Sequence, residues 1–459
     1  MRPIRWRRST HAIIGVAVLA VVAAVVAAAA WFTAGGHETK DPQLPPEPHT
    51  PAVAPGVVPV PASAPMPTEA GLAATLAPQV ADPNLGKLGG RITDAMTGKE
   101  LWHQLDDVPL HPASTNKALT AAAALLTLDH EATITTRVVE DQRPGVVVLV
   151  GGGDPTLSAV PPGGETWYHD AARISDLADQ VRRRGVMPTA VKVDASAFTG
   201  PETAPGWDPG DIDGGDVAPI ESVMLDAGRV QPATDESTRS HTPALDAGRA
   251  LASALGVNPA AVTLGSAPPD ARELAAVRSA PLIERLGDMM DASDNVMAEC
   301  IGREVAAATH RPRSFAGAVD AVTSQLASAQ VAVSGAVLVD SSGLSLDDLL
   351  TAKTLDSVVQ AAAGPDQPAL RPLLDLLPIA GGSGTLSNRF INPAADGIAA
   401  GWLRAKTGSL TAVNSLAGVI TDNSGRVLTF AFISNDAGPT GRLAIDALAA
   451  RLRTCGCTT

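Results

Sequence analysis

Three short strings carry residue types suited to nucleophilic acyl transfer. They are Ser114–Lys117 (STNK), Ser293–Asn295 (SDN) and Lys406–Gly408 (KTG), in that order along the chain. A serine hydroxyl needs a base to take its proton before it attacks a carbonyl carbon, and a neutral lysine amine can be that base. Lysine is scarce, with seven among 34 basic residues, yet the first and third strings each contain one. The sequence therefore predicts a serine acyl transferase that uses lysine as its proton carrier.

Spacing and order suggest a role for each polar residue. Ser114 and Lys117 would share one face of a helix, which makes Ser114 the candidate nucleophile and Lys117 its base. Lys406 can lower the pKa of Lys117 by like-charge repulsion, and it can attract a substrate carboxylate. Ser293 can pass a proton to the leaving amine, and Asn295 can orient Lys117 and the substrate amide.

Each string alone has an ordinary structural interpretation. Ser114 alone is a helix N-cap, the second string is a polar loop, and the third is the end of a strand. The ordered trio is the pattern of penicillin-binding proteins and β-lactamases, and it outweighs those interpretations. A Ser-His-Asp triad through His103 or His111 is the competing mechanism, which the lysine at the base position disfavours.

The elements that must position these residues follow from apolar periodicity and turn signals. Strands are predicted at 88–93, 100–104, 145–150, 190–194, 415–421 and 426–434. Helices are predicted at 118–128, 245–255, 281–305 and 443–453. Elements from both ends of the chain thus belong to one catalytic domain, and the long interval between the first two motifs is predicted to be an inserted domain.

The composition changes along the chain predict five segments. They are a cytoplasmic tip with a transmembrane anchor or signal peptide at 1–34, a Pro-rich linker at 35–74, catalytic parts at 75–138 and 273–459, and an inserted accessory domain at 139–272. A Pro-rich segment with few bulky apolar residues cannot bury a core, so the linker is expected to be extended.

The N-terminus carries an export signal. Four arginines precede an uncharged apolar run from Ala12 to Ala34, long enough to span a bilayer as a helix. Positive charge on the short N-terminal side predicts a single-pass protein with its catalytic domain outside the cytoplasmic membrane. A cleaved signal peptide is the alternative, since Ala27–Ala30 offers small residues to signal peptidase, and it predicts a secreted enzyme.

Charge and motif content exclude other classes of protein. The formal net charge is −14, with no basic stripe, which argues against a nucleic-acid partner. No Cys-x-x-Cys or His-Glu-x-x-His string occurs, so no metal site is expected. The proposed chemistry needs no organic cofactor.

Further strings make the chain resemble the low-molecular-mass class C penicillin-binding proteins, the type-4 D-alanyl-D-alanine carboxypeptidase/endopeptidase family. They lie at 152–157 (GGDPTL), 198–207 (FTGPETAPGW), 298–299 (AE), 340–344 (DSSGL), 377–382 (LPIAGG) and 404–411 (RAKTGSLT). The resemblance covers residue 75 to the end. It implies an α/β fold, with a penicillin-binding-protein/β-lactamase-like catalytic domain, an antiparallel sheet flanked by helices, and an inserted β-rich accessory domain.

The resemblance also implies a function and a substrate site. The family includes exported serine DD-peptidases that cut the terminal D-Ala-D-Ala bond of peptidoglycan stem peptides, in some members also cross-links, and that bind β-lactam antibiotics. By this likeness the backbone N–H groups of Ser114 and Ser409 form the oxyanion hole, and Thr407 binds the terminal carboxylate beside Gly408. Ser409 replaces the Thr of many relatives, and the insert appears shorter than in larger members.

Two other functions share parts of this pattern. A β-lactamase must also deacylate quickly, which class A enzymes do with a glutamate that activates water. No Glu-x-x-x-Asn string occurs between the second and third motifs, so a long-lived penicilloyl adduct is expected instead. A non-catalytic wall-binding scaffold would be favoured by degenerate motifs, and all three motifs are intact.

Overall fold

Two five-stranded sheets organise the part of the chain that the computed structural model describes, residues 63–454 without 236 and 394. The strands of the first sheet are β1 (Lys87–Asp94), β2 (Glu100–Gln104), β8 (Leu403–Leu410), β9 (Val413–Thr421) and β10 (Val427–Asn435). This sheet is antiparallel, with strand order β2-β1-β10-β9-β8. It unites strands from the two ends of the described chain.

Helices cover both faces of this sheet. Successive side chains of a strand point to opposite faces, so Phe430 and Phe432 enter one core while Ala431 and Ile433 enter another. Helices α1 (Glu69–Val80) and α11 (Gly441–Arg451) pack on the phenylalanine face. On the other face lie α2 (Lys117–Thr127), α6 (Leu282–Asp291), α7 (Asn295–Ala308), α8 (Phe315–Ser328), α9 (Ala352–Ala363) and the short α10 (Leu373–Leu376).

Helix α2 is the centre of the second core. Its residues from Lys117 to Leu125 are all buried, and four consecutive alanines, Ala121–Ala124, have no exposed surface. Small side chains let α7 and α8 approach α2 closely. The first motif is thereby fixed to a rigid, fully packed helix.

The second sheet is mixed and lies in the sequence interval between the first two motifs. Its strands are β3 (Thr135–Glu140), β4 (Val146–Val150), β5 (Ala190–Asp194), β6 (Thr263–Leu264) and β7 (Glu273–Arg278). The strand order is β6-β5-β4-β3-β7. Strand β3 pairs antiparallel with β4 and β7, and β5 pairs parallel with β4 and β6. Helices α3 (Ile174–Arg183) and α5 (Pro243–Leu255) bury an aliphatic core with it, and α4 (Gly210–Gly214) lies between β5 and α5 in sequence.

The predicted fold class is confirmed: a helix-flanked antiparallel sheet with an inserted sheet-containing region. The inserted sheet extends beyond the predicted segment 139–272. The chain enters this sheet through β3 and leaves it through β7, and these two strands pair with each other at one edge of the sheet. Helix α1 begins at Glu69, where the Thr68 side chain accepts a hydrogen bond from Gly71 N, so residues 69–74 are helical and not part of an extended linker.

The predicted helix over 281–305 is wrong in one respect. Two helices, α6 and α7, are separated by a break at 292–294, and the second motif lies in that break. The predicted membrane span at the N-terminus lies outside the described residues. Across residues 63–454 as described, no helix has the length and apolarity to cross a bilayer.

Candidate active site

The first motif lies in a tight turn before α2. Residues Ala113–Asn116 form a 3-10 turn, and the α-helix proper starts at Lys117. Ala113 has a positive φ of 48°, and its carbonyl oxygen would be 2.0 Å from a Cβ placed on Gly343. Only glycine at 343 allows that loop to approach the turn so closely. Ser114 is half-buried in this turn, just before the N-terminal end of α2.

Lys117 reaches three oxygen atoms from a fully buried position. Its Nζ donates to Ser114 Oγ at 2.9 Å, to Asn295 Oδ1 at 2.6 Å and to the Ser342 carbonyl oxygen at 2.8 Å. Burial lowers the pKa of Lys117 to about 8, against the opposing effect of nearby carboxylates, of which Asp340 is the largest. The amine is therefore hydrogen-bonded to the candidate nucleophile, and its lowered pKa suits a general base.

A buried carboxylate cluster supports this arrangement from behind. Asp340 accepts hydrogen bonds from the backbone N–H groups of Ser342 and Gly343, which fixes the carbonyl oxygen that Lys117 contacts. Glu299 accepts from the backbone of Ser341 at 2.8 Å. Burial, with the nearby charge of Asp340, raises the pKa of Glu299 to about 7. The 340–344 string thus positions the Lys117 amine, a role that the sequence alone did not reveal.

The second motif owes its geometry to the break between α6 and α7. Ser293 has a φ of 58°, which ends α6, and the Asp294 side chain caps α7 by accepting from Met297 N at 2.9 Å. These two features place Ser293 in the lining of the cleft and the Asn295 side chain against Lys117 Nζ. A continuous helix through residues 292–294 would remove the cap that Asp294 provides, and it would point Ser293 and Asn295 in other directions.

The third motif lies on the edge strand β8. Lys406 is fully buried, and its Nζ donates to Ser293 Oγ at 2.8 Å and to the Thr407 carbonyl oxygen at 3.0 Å. Gly408 passes against the first motif, since a Cβ there would be 3.0 Å from Ser114 N and 2.2 Å from Ser415 Oγ. Glycine at this position lets the strand approach the nucleophile turn.

Burial is the main cause of the perturbed titration of both lysines. It lowers the pKa of Lys406 well below the ordinary range, and the charge of Lys117 lowers it further. The sequence analysis expects that repulsion by Lys406 can lower the pKa of Lys117. Burial of Lys117 is the largest cause of its lowered pKa in the structure.

The motifs meet in a cleft with a volume of about 760 Å³. Ser114, Ser293, Thr407 and Ser409 line it, whereas Gly408 is buried behind them. Thr385, which the sequence analysis missed, also lines the cleft and accepts a hydrogen bond from Thr407 Oγ1 at 2.9 Å. It lies three residues after the GG of the 377–382 string, and that glycine-rich continuation was the available signal.

Neither histidine near the first motif enters this arrangement. His103 pairs with Glu100 on the surface, and His111 Nδ1 lies 3.3 Å from the Asp348 carbonyl oxygen. The described side-chain partner of Ser114 Oγ is Lys117 and neither of these histidines.

Comparison with known families accounts for this combination of motifs and fold. The family model described as "D-Ala-D-Ala carboxypeptidase 3 (S13) family" matches residues 72–239 and 233–452. The chain belongs to this S13 family. Residues 1–59 match a second model, "Carboxypeptidase Rv3627c-like, N-terminal domain". The family that the sequence motifs indicated is thereby confirmed.

Relatives of full length support the assignment. The chain is 70% identical over 461 residues to "Carboxypeptidase Rv3627c" of Mycobacterium tuberculosis, with all of both chains covered. It is 66% identical over 459 residues to "Carboxypeptidase DacB" of Mycolicibacterium smegmatis, again over the whole of both. The fold is similar to that of penicillin binding protein 4 (dacB) from Haemophilus influenzae, with a TM-score of 0.68 and 23% identity over 85% of this chain and 100% of that one.

Proposed function

We propose that this S13-family hydrolase is a serine-type D-Ala-D-Ala carboxypeptidase of peptidoglycan stem peptides, acting through an acyl-Ser114 intermediate. The observation that carries the proposal is the contact of a fully buried, neutralisable Lys117 amine with Ser114 Oγ at 2.9 Å. The full-length likeness to two proteins named carboxypeptidases supports the substrate class.

In the first half-reaction, neutral Lys117 takes the Ser114 proton as Oγ attacks the carbonyl carbon of the penultimate D-Ala. The resulting oxyanion is stabilised by backbone N–H groups of Ser114 and Ser409, a role inferred from the family likeness. The proton taken by Lys117 is passed through Ser293 to the nitrogen of the leaving D-Ala, which makes Lys117 neutral again, and Asn295 holds Lys117 in place. Water then attacks the acyl-enzyme and gives one proton to Lys117, which returns it to Ser114 Oγ as the shortened stem peptide is released with a free carboxyl group.

The terminal carboxylate of the substrate is assigned to the third motif. Lys406 and Thr407 present an ammonium and a hydroxyl there, and charge-assisted hydrogen bonds are the stronger kind. Burial lowers the pKa of Lys406, and an entering carboxylate would favour its protonated form. β-Lactams carry a carboxylate in the corresponding place, so we infer that they acylate the same serine.

The β-lactamase alternative receives no support from the described residues. Both glutamates between the second and third motifs are engaged away from the cleft: Glu299 with Ser341 and Arg303, and Glu304 with Arg285. No glutamate appears among the described residues that line the cleft. A slowly released penicilloyl adduct is the expected outcome.

The decisive experiment digests purified peptidoglycan with the enzyme and identifies the products by mass. Release of D-Ala from pentapeptide stems supports carboxypeptidase action, and conversion of cross-linked dimers to monomers measures endopeptidase action separately. A Ser114→Ala protein, shown to be folded by circular dichroism, is the matched control. Equal digestion by that control would contradict the proposal.

We further propose that the enzyme works outside the cytoplasmic membrane, held by the apolar segment 12–34. Fractionation of cells followed by N-terminal sequencing tests this. Recovery in the membrane fraction with an intact N-terminus supports an anchor, recovery in the medium with a new N-terminus supports a cleaved signal peptide, and a cytoplasmic product contradicts export.

A further inference from the structure

The inserted region contacts the second motif through a chain of hydrogen bonds. Tyr168, the only tyrosine in the sequence, donates its hydroxyl to Asp294 Oδ2 at 2.6 Å. Arg229 Nη1 donates to that same hydroxyl at 2.8 Å, and its Nη2 lies 3.4 Å from the same carboxylate oxygen. A third contact joins the amide of Asn295 to the Asp216 carbonyl oxygen at 3.0 Å.

These groups are withdrawn from solvent. The side chains of Arg229 and Asp294 are 2% and 1% exposed, and Tyr168 is 1% exposed. Charged groups buried to this extent must be satisfied by the protein, since removing one partner leaves the other charge without compensation. The Arg229 guanidinium also lies 4.4 Å from the ring centroid of Trp167, which lines the catalytic cleft. The network therefore connects the wall of the cleft to the second motif.

Asp294 is the point at which this network meets the catalytic residues. Its carboxylate caps α7, and its two sequence neighbours are Ser293 and Asn295. Burial alone would raise the pKa of Asp294, but Arg229 and Arg239, with the hydrogen bond from Tyr168, lower it to about 2. Asp294 is thus ionised, and its charge favours the protonated form of Lys117. The Arg229 guanidinium brings an opposite charge against this carboxylate.

We propose that Tyr168 and Arg229 are positioning residues for acylation. They hold the ionised Asp294 carboxylate and compensate its negative charge. Ser293 and Asn295 thereby stay aligned with Lys117 and Lys406. The inserted region would then complete the catalytic domain. This inference rests on the proposed serine mechanism.

Several other charged groups act on the same atoms and must remain constant in a test. Besides Arg229 and Tyr168, the groups that interact with Lys117 or Asp294 include Arg239, Asp288, Asp340, Glu299, Asp348 and Lys406. Substitutions at 168 and 229 leave all of them in place.

The experiment measures the rate of acylation by a fluorescent penicillin as a function of pH, using the full chain. Tyr168→Phe removes only a hydroxyl. We expect roughly tenfold slower acylation, since hydrogen bonds to charged groups are among the stronger ones. The acid limb of the profile should move to higher pH, because the Asp294 carboxylate loses a hydrogen bond that compensates its charge. Arg229→Lys keeps the charge but loses the fork, so the rate should fall while the limb stays near its wild-type position. Arg229→Met removes the charge, and it should show the larger shift of the limb.

Thr156→Val is the matched control. Its hydroxyl donates to the buried Asp154 carboxylate at 2.7 Å in the same inserted region, so it removes a comparable bond away from the motifs. We expect wild-type acylation from this variant even if its thermal stability falls.

A Tyr168→Phe rate and profile equal to those of the wild type, or losses matched by Thr156→Val, would overturn the inference. If Arg229→Met fails to fold, Tyr168→Phe with its control still decides. Failure of the wild-type protein itself to be acylated would instead refute the serine mechanism, so the two failures are distinguishable.

Discussion

Two serine–lysine pairs meet at the cleft, and the distance from the lysine nitrogen to the serine oxygen is nearly the same in both. Lys117 Nζ is 2.9 Å from Ser114 Oγ, and Lys406 Nζ is 2.8 Å from Ser293 Oγ. Their surroundings differ. The first pair has a side-chain amide, a carbonyl oxygen and several carboxylates near its amine, whereas the second has a carbonyl oxygen, the charges of Lys117 and Arg389, and Asp291 as its opposing carboxylate.

The difference shows that contact between a serine and a lysine does not by itself assign the nucleophile. The carboxylates behind the first pair limit the fall in the pKa of Lys117 to about 8, a value useful for exchanging protons near neutral pH. The second lysine lacks that support, so it favours an incoming anion to compensate its charge. We expect the first pair to carry out acylation and the second to bind the substrate carboxylate and protonate the leaving amine.

The largest expected effect distinguishes the two serines. Ser114→Ala should abolish covalent labelling by a fluorescent penicillin, because it removes the atom that forms the ester. Ser293→Ala should still be labelled, more slowly by a factor of up to roughly 10² to 10⁴, the size typical of proton-transfer roles. Gel fluorescence of folded variants provides the measurement. Labelled Ser114→Ala together with unlabelled Ser293→Ala would reverse the assignment of the two pairs.

Loss of the base should be the next largest effect. Lys117→Arg retains a positive charge but cannot accept a proton, so we expect acylation to fall by roughly 10² to 10⁴. Single-turnover kinetics measures the rate. Lys353→Arg is the control, because Lys353 is exposed on α9 and should tolerate the same exchange without effect. Near-normal acylation by Lys117→Arg would move the base to another residue.

The second lysine should reveal itself through substrate charge. Wild type should discriminate against a D-Ala-D-Ala peptide whose terminal carboxylate is amidated by roughly 10- to 100-fold, the value of a charge-assisted hydrogen bond. Lys406→Gln should be slow on both substrates and discriminate little between them. Steady-state kcat/KM for the two peptides tests this. If the variant still discriminates as strongly as wild type, another residue binds the carboxylate.

The pH dependence should give the smallest effect. The pKa of Lys117 is lowered by burial, so the neutral, proton-accepting amine predominates only above about pH 8. Acylation should therefore rise with pH and level off near that value, falling about tenfold for each unit below it. Stopped-flow acylation across this range is the measurement. A rate that does not change with pH below 8 would contradict a titrating Lys117.

The local elements around the motifs were largely predictable from sequence. Strand β2 (Glu100–Gln104) and strand β5 (Ala190–Asp194) have the predicted bounds, and the helix after the first motif differs by one residue at each end. Alternating or continuous apolar runs bounded by turn residues determine such elements locally. The helix predicted across the second motif failed because the capping role of Asp294 and the positive φ of Ser293 override an apolar pattern that continues through them.

The limits of the inserted region were harder to predict for a different reason. Strand β3 follows the first motif's helix and β7 precedes α6, and they belong to the inserted sheet only because they pair with each other. Pairing between residues so far apart in sequence leaves no local signal. The same holds for Tyr168 and Arg229, whose contacts with Asp294 join distant parts of the chain.

The sequence by itself determined the chemistry available to this protein: a serine with a lysine one helical turn away, a second serine and an asparagine, and a second lysine two residues before a glycine. These are fixed by residue type and spacing, because a helical turn brings Ser114 and Lys117 together wherever it forms. Only the tertiary structure decided that both lysines are fully buried, which carboxylates lie behind the first, and that Asp294 is held from the inserted region. Those features depend on desolvation and on charges that are distant in sequence, and it is they that set the pKa of a lysine and thereby its role.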